Sequence, residues 1–144
     1  GGEGIPLVAG FNWAYDLTPV KENPINATGI GYVSHPYPQK REKPWQEKWT
    51  KDWGFVKEKY PLILTEIGFS DSEDIGAHVP VINNDGTYGD AITTYCDEKE
   101  ISYVIWVFDA QWSPRLFEDF ETYKPSKHGN YFKKKINSYN YKQK

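Results

Sequence analysis

Apolar residues along the chain follow two rhythms. Short continuous runs alternate with stripes at helical spacing. The runs are Pro6 to Asn12 (PLVAGFN), Ile30 to Ser34 (IGYVS), Leu62 to Thr65 (LILT) and Ile101 to Phe108 (ISYVIWVF). All four runs predict strands, and Leu62 to Thr65 in particular reads as a strand buried on both faces. The last run is β-branched and aromatic nearly throughout, which favours a strand most strongly. Between the runs, Trp45, Trp49, Trp53, Val56 and Tyr60 recur at spacings of four, four, three and four. That stripe predicts a helix from about Trp45 to Lys59, opened by Pro44 and ended by Pro61. Tyr88 to Glu100 reads as a second helix, with Tyr88, Ile92, Tyr95 and Cys96 on one face. Gly129 to Tyr139 reads as a third, with Tyr131, Phe132 and Ile136 as its apolar face. The segments from Asp16 to Thr28, from Gly68 to Thr87 and from Asp109 to Tyr123 carry the polar, Gly and Pro punctuation of loops.

Four strands alternating with helices predict an α/β fold with a parallel sheet and right-handed crossovers. The long loops follow the carboxyl ends of the strands, and so do His35, Tyr37, Glu66 and Asp109. In open α/β sheets and in closed barrels alike, that rim carries the site.

Glu66 is the sharpest chemical signal. It directly follows four apolar strand residues, where a carboxylate does not serve packing. Two readings stand: a buried acid paired with a neighbouring cation or amide, or a nucleophile or general acid/base tuned by its surroundings. His35 and Tyr37 lie two apart, so in extended chain they point the same way. They read either as a capped strand end or as a pair that positions a proton and a carboxylate. His78 and His128 stand alone in polar loops, which argues against a metal site. Trp45, Trp49 and Trp53 read as the face that packs the first helix on the sheet. Trp13, Trp106 and Trp112 lie at strand ends or beyond, and could present flat rings to sugar C–H faces or serve as core and rim anchors. Cys96 reads as an inert core thiol and Lys133 to Lys135 as a solvated helix face.

Composition narrows the field. Aromatic residues make up 17% of the 144, which argues against disorder. A net charge of −3 gives no basic surface for nucleic acid. No apolar run approaches the roughly 18 residues of a membrane span. One cysteine excludes an intrachain disulfide and a cysteine zinc cluster. Nucleotide-binding loops and the serine-hydrolase elbow are missing. The chain has no methionine, so it reads as a processed, excised or truncated piece.

The order of these motifs has a counterpart. A strand ending His35-Pro36-Tyr37, a strand running into Leu64-Thr65-Glu66-Ile67-Gly68 and a strand ending at Trp106 resemble strands six, seven and eight of glycoside hydrolase family 5, the cellulase-type (β/α)8 barrels. Phe11 to Asp16 would then close the fifth strand. The resemblance runs from about Pro6 to Tyr139. It implies that residues 1–144 are one partial domain, the carboxyl-terminal half of a barrel whose full form takes about 250 residues. It implies the nucleophile role for Glu66, a substrate- and carboxylate-contacting role for His35 and Tyr37, and a place beneath the cleaved sugar for Trp106. Asn12, Trp13, Asp109 and Trp112 share the rim as candidate substrate contacts. The family's general acid/base is a Glu after Asn on the fourth strand, and this sequence contains no Asn-Glu dipeptide. A retaining glycosidase needs two carboxyls about 5–5.5 Å apart.

The expectation is therefore a retaining endo-β-1,4-glycanase half that carries the attacker but not the acid, acts on β-linked polysaccharide, needs no cofactor and is inactive alone. A missing amino-terminal half-barrel or a second copy would complete it, since a lone half exposes strand edges and apolar interior faces. Secretion follows from insoluble substrates. The alternative is a non-catalytic carbohydrate-binding module on the same aromatic rim. A third possibility is another α/β sheet, with non-sequential strand order, in which Glu66 is structural.

Overall fold

A computed structural model describes residues 3–70 and 87–140. Four strands, β1 (Leu7–Ala9), β2 (Gly31–Ser34), β3 (Leu62–Ile67) and β4 (Ser102–Ile105), form one sheet in the order β1-β2-β3-β4. β1 pairs parallel to β2 with Leu7 opposite Gly31, and β2 pairs parallel to β3 with Tyr32 opposite Leu62. Sequential order is what right-handed βα crossovers produce in a barrel wall. It excludes the non-sequential sheet weighed above. β2 is buried at every position, whereas β1 and β4 leave Leu7 and Val104 each 50% exposed.

The described residues form two compact units. The first holds the sheet and the tryptophan stripe. Trp45, Trp49 and Trp53 are all buried, as helix packing requires. Trp45 and Trp49 stack at 5.9 Å, and Tyr95 stands edge-on to Trp49 and Trp53 at 5.6 and 5.3 Å. The predicted continuous helix is broken, however. An α-helix spans Gln46–Asp52, Trp53 leaves helical geometry at φ −151°, and a 3-10 turn follows over Gly54–Glu58. At the break the chain packs closely on Tyr95: a Cβ on Gly54 would collide with its hydroxyl.

In the second unit, Phe69 gathers Tyr88, His128, Tyr131 and Phe132 around itself, with centroids 5.0 to 6.5 Å away. The last helix spans Lys127–Asn140 and starts earlier than predicted. Ser126 is its cap: its Oγ accepts the Gly129 N–H at 2.9 Å. His128 therefore lies in a helix and is 1% exposed, not in a polar loop. Phe108, Phe117 and Tyr123 line an open apolar groove of about 270 Å³ with Ile105, Phe132 and Ile136.

Two strands are shorter than predicted. β4 ends at Ile105 because the next backbone groups bond elsewhere: Val107 N–H donates to Pro114 O and Val107 O accepts from Leu116 N–H. β1 ends at Ala9 because Phe11 and Asp16 pair with each other across a tight turn. β3 runs on to Ile67, so Glu66 is the penultimate residue of the strand and does not follow it. The middle helix spans Thr87–Lys99. Most of the predicted 68–87 loop, with His78, lies outside the described residues. Among the described residues no helix is long and apolar enough to cross a membrane.

Candidate active site

Parallel register explains how two distant segments meet. Ser34 stands opposite Leu64, so the next residues of each strand, His35 and Thr65, emerge level with one another. His35 Nδ1 lies 3.5 Å from Glu66 Oε2, and its Nε2 lies 2.8 Å from Thr65 Oγ1. A carboxylate can only accept. One tautomer satisfies all three groups: Nδ1–H faces Glu66, and Nε2 accepts the Thr65 hydroxyl. Burial is the main influence on His35 and lowers its pKa; the Glu66 charge opposes this and the Lys40 charge adds to it. The ring is therefore neutral near pH 7. His35 and Glu66 side chains are 21% and 25% exposed, open enough to meet a ligand. Sequence reasoning missed Thr65, which looked like the end of an apolar run.

The rim beside β1 is built by a left-handed turn. Asn12, Trp13 and Ala14 have φ of 55°, 53° and 62°. Non-glycine residues in that region each cost on the order of 1 kcal/mol. The turn is held on several sides. Phe11 and Asp16 exchange two backbone hydrogen bonds of 2.9 Å, and His35 N–H donates to Ala14 O at 3.0 Å. Ser34 Oγ donates to Tyr15 O, and the Tyr15 hydroxyl donates to Asp52 Oδ2 at 2.6 Å. Arg41 Nε reaches the same carboxylate oxygen at 2.7 Å. Gly10 precedes the turn, and a Cβ there would strike Asp16 O. Trp13 is 85% exposed at the tip. Asn12 and Trp13 thus sit on a separate strained turn and do not end a strand as expected.

Tyr37 is buried, two residues beyond His35. In the second unit, Trp106 and Trp112 meet edge-on at 6.0 Å, and Trp112 is 59% exposed. Asp109 is committed to its own loop, accepting from Gln111 N–H and from Trp112 N–H at 2.9 Å. Those bonds lower its pKa, so it holds no proton to donate near neutrality. Cys96 is fully buried, and burial pushes its thiol up to about 12. Among the described residues no cluster of three or more His, Cys, Asp or Glu could hold a metal.

The chain has close matches among solved structures. The chain is similar to the β-glucanase SdGluc5_26A from Saccharophagus degradans in complex with cellotetraose, at 44% identity and a TM-score of 0.84. The native form of that glucanase matches at 45% identity and a TM-score of 0.85. The fold is half of a (β/α)8 barrel. The matches cover 92% of this chain but 41% of the glucanase. The catalytic domain of Thermobifida fusca endoglucanase Cel5A, at 18% identity and a TM-score of 0.68, shares the fold over 93% of this chain and 46% of its own. No family model matches the chain, and no curated protein does.

Proposed function

We propose that the chain is the carboxyl-terminal half of a retaining endo-β-1,4-glycanase of the glycoside hydrolase family 5 type. The observation that carries the reading is the 3.5 Å approach of His35 to Glu66 at the carboxyl ends of two adjacent inner strands. Similarity to a glucanase crystallised with cellotetraose supports a β-glucan oligosaccharide as ligand. In this reading Glu66 attacks the anomeric carbon and forms a glycosyl-enzyme ester. The leaving oxygen takes its proton from a carboxylic acid on the complementary half. Water then cleaves the ester, and that acid, now the base, takes the water's proton. The neutral His35 holds the carboxylate and the sugar in register. The Tyr37 hydroxyl donates to the carboxylate. Trp106, Trp112 and Trp13 stack pyranose rings, and Asn12 supplies polar contact. Asp109 acts indirectly, by shaping the loop that bears Trp112. An amino-terminal half-barrel, in one polypeptide or as a separate fragment, completes the site; a second copy is the other way to close it. Insoluble substrate makes the protein's place extracellular.

The 144-residue chain alone is expected to hydrolyse neither carboxymethylcellulose nor mannan; robust turnover by it would sink the missing-acid argument. In the completed enzyme, Glu66→Ala should take turnover to background and abolish labelling by an activated fluorosugar, as followed by intact-mass spectrometry. Labelling of that variant would refute the nucleophile assignment. A carbohydrate-binding module is the second reading, and the 85% exposed Trp13 favours it. It is supported if the completed polypeptide binds cellotetraose and yet neither turns it over nor takes the label.

A further inference from the structure

Lys40 belongs to neither the predicted site nor any motif, yet it touches the rim at three points. It ends the 3-10 turn Pro38–Lys40, five residues after His35. Its Nζ donates to Asn12 O at 2.9 Å and to Asn12 Oδ1 at 3.2 Å. The same ammonium lies 5.0 Å from the centroid of the Trp13 ring. It thus ties the segment after β2 to the left-handed turn after β1. Those are the two segments whose backbones also meet through His35 N–H and Ala14 O.

We propose that Lys40 is a positioning residue that fixes the Asn12–Trp13 turn and presents Trp13 as a sugar-stacking platform at the His35–Glu66 mouth. Two physical reasons support this. Residues 12–14 all adopt positive φ without a glycine, so the turn needs outside bonds to persist, and the two Lys40 contacts grip its first left-handed residue. A cation against one face of an indole also restrains the ring, while most of Trp13 stays in solvent for a pyranose. Partial burial lowers the Lys40 pKa, and its charge in turn helps keep His35 neutral. One residue therefore couples the platform to the mouth.

The sugar-binding part of this inference rests on the proposed function, so the test has two arms on the 144-residue chain. In the first, His35 is titrated by NMR and Trp13 exposure is read by iodide quenching in a Trp112→Phe background, as the part of the quenching lost in Trp13→Ala. Lys40→Met should raise the His35 pKa and change Trp13 quenching, with Lys40→Arg holding both near the parent values. An unchanged His35 titration and unchanged quenching in Lys40→Met would overturn the positioning role, whatever the chain binds. In the second arm, cellotetraose is titrated by calorimetry. Lys40→Met should weaken binding roughly fivefold, Lys40→Arg should restore it, and Lys40→Met should have no further effect in a Trp13→Ala background. An equal loss in both backgrounds would show that Lys40 does not act through Trp13. If the parent binds no cellotetraose, the platform falls for this chain, the proposed function is judged separately on the completed enzyme, and the first arm alone decides whether Lys40 fixes the turn.

Discussion

Two histidines in this chain share one physical influence and end with different roles. Burial lowers the pKa of both His35 and His128. His35 sits at a strand end, about one-fifth exposed, with a hydroxyl and a carboxylate at its two nitrogens. His128 sits in a helix and is sealed edge-on against Phe69 and Phe132 at 5.0 and 4.9 Å. Burial alone therefore does not mark a reactive group. What separates the two is whether a neighbouring carboxylate and a path to solvent accompany the loss of water.

The largest way to test that contrast is acid. Burial brings the His128 pKa down to about 4 in the folded chain, against about 6.5 when unfolded. The unfolded state then binds more protons between those values, so stability is fully present above about pH 6.5 and falls as pH drops toward 4. The loss attributable to His128 is on the order of 3 kcal/mol. Urea unfolding of parent and His128→Phe across this range should show a shallower slope in the variant, with the remainder due to the lowered pKa of His35. A variant slope equal to the parent's would break the comparison. The lowered pKa of Asp109 and of Asp119 acts only at still lower pH, outside this window.

A smaller effect is expected at Thr65. Its hydroxyl bonds the neutral form of His35, so Thr65→Val should raise the His35 pKa and cost about 1 kcal/mol of stability. NMR titration and urea unfolding read the two quantities. A fall in the His35 pKa would mean that the ring holds the other tautomer, with Nε2–H donating to Thr65.

Much of this was legible in the residues. Continuous apolar runs and helical stripes fix the strand order, and the residues directly after β2 and near the end of β3 are the pair that meets. The tryptophan stripe reads correctly because a period near 3.6 has one explanation in a chain of this size. What stayed hidden depends on contacts between segments far apart in sequence. The close fit of Gly54 on Tyr95, beside the helix break, joins residues 41 positions apart. The early end of β1 comes from the Phe11–Asp16 pairing. Lys40 lies in a polar stretch and shows its importance only through the turn it grips. His128 reads as solitary in sequence because the apolar stripe begins at Tyr131, and only the Ser126 cap places the helix start ahead of it.

The sealed thiol of Cys96 gives the chain a built-in clock. It is the only sulfur nucleophile in the sequence, it has no surface in contact with water, and its pKa is pushed up to about 12. An alkylating reagent can reach it only through a transient opening of the helix that carries it. The rate of mass gain under iodoacetamide therefore tracks the population of the open state, and its change on adding a complementary fragment would measure how firmly assembly locks the helix shut.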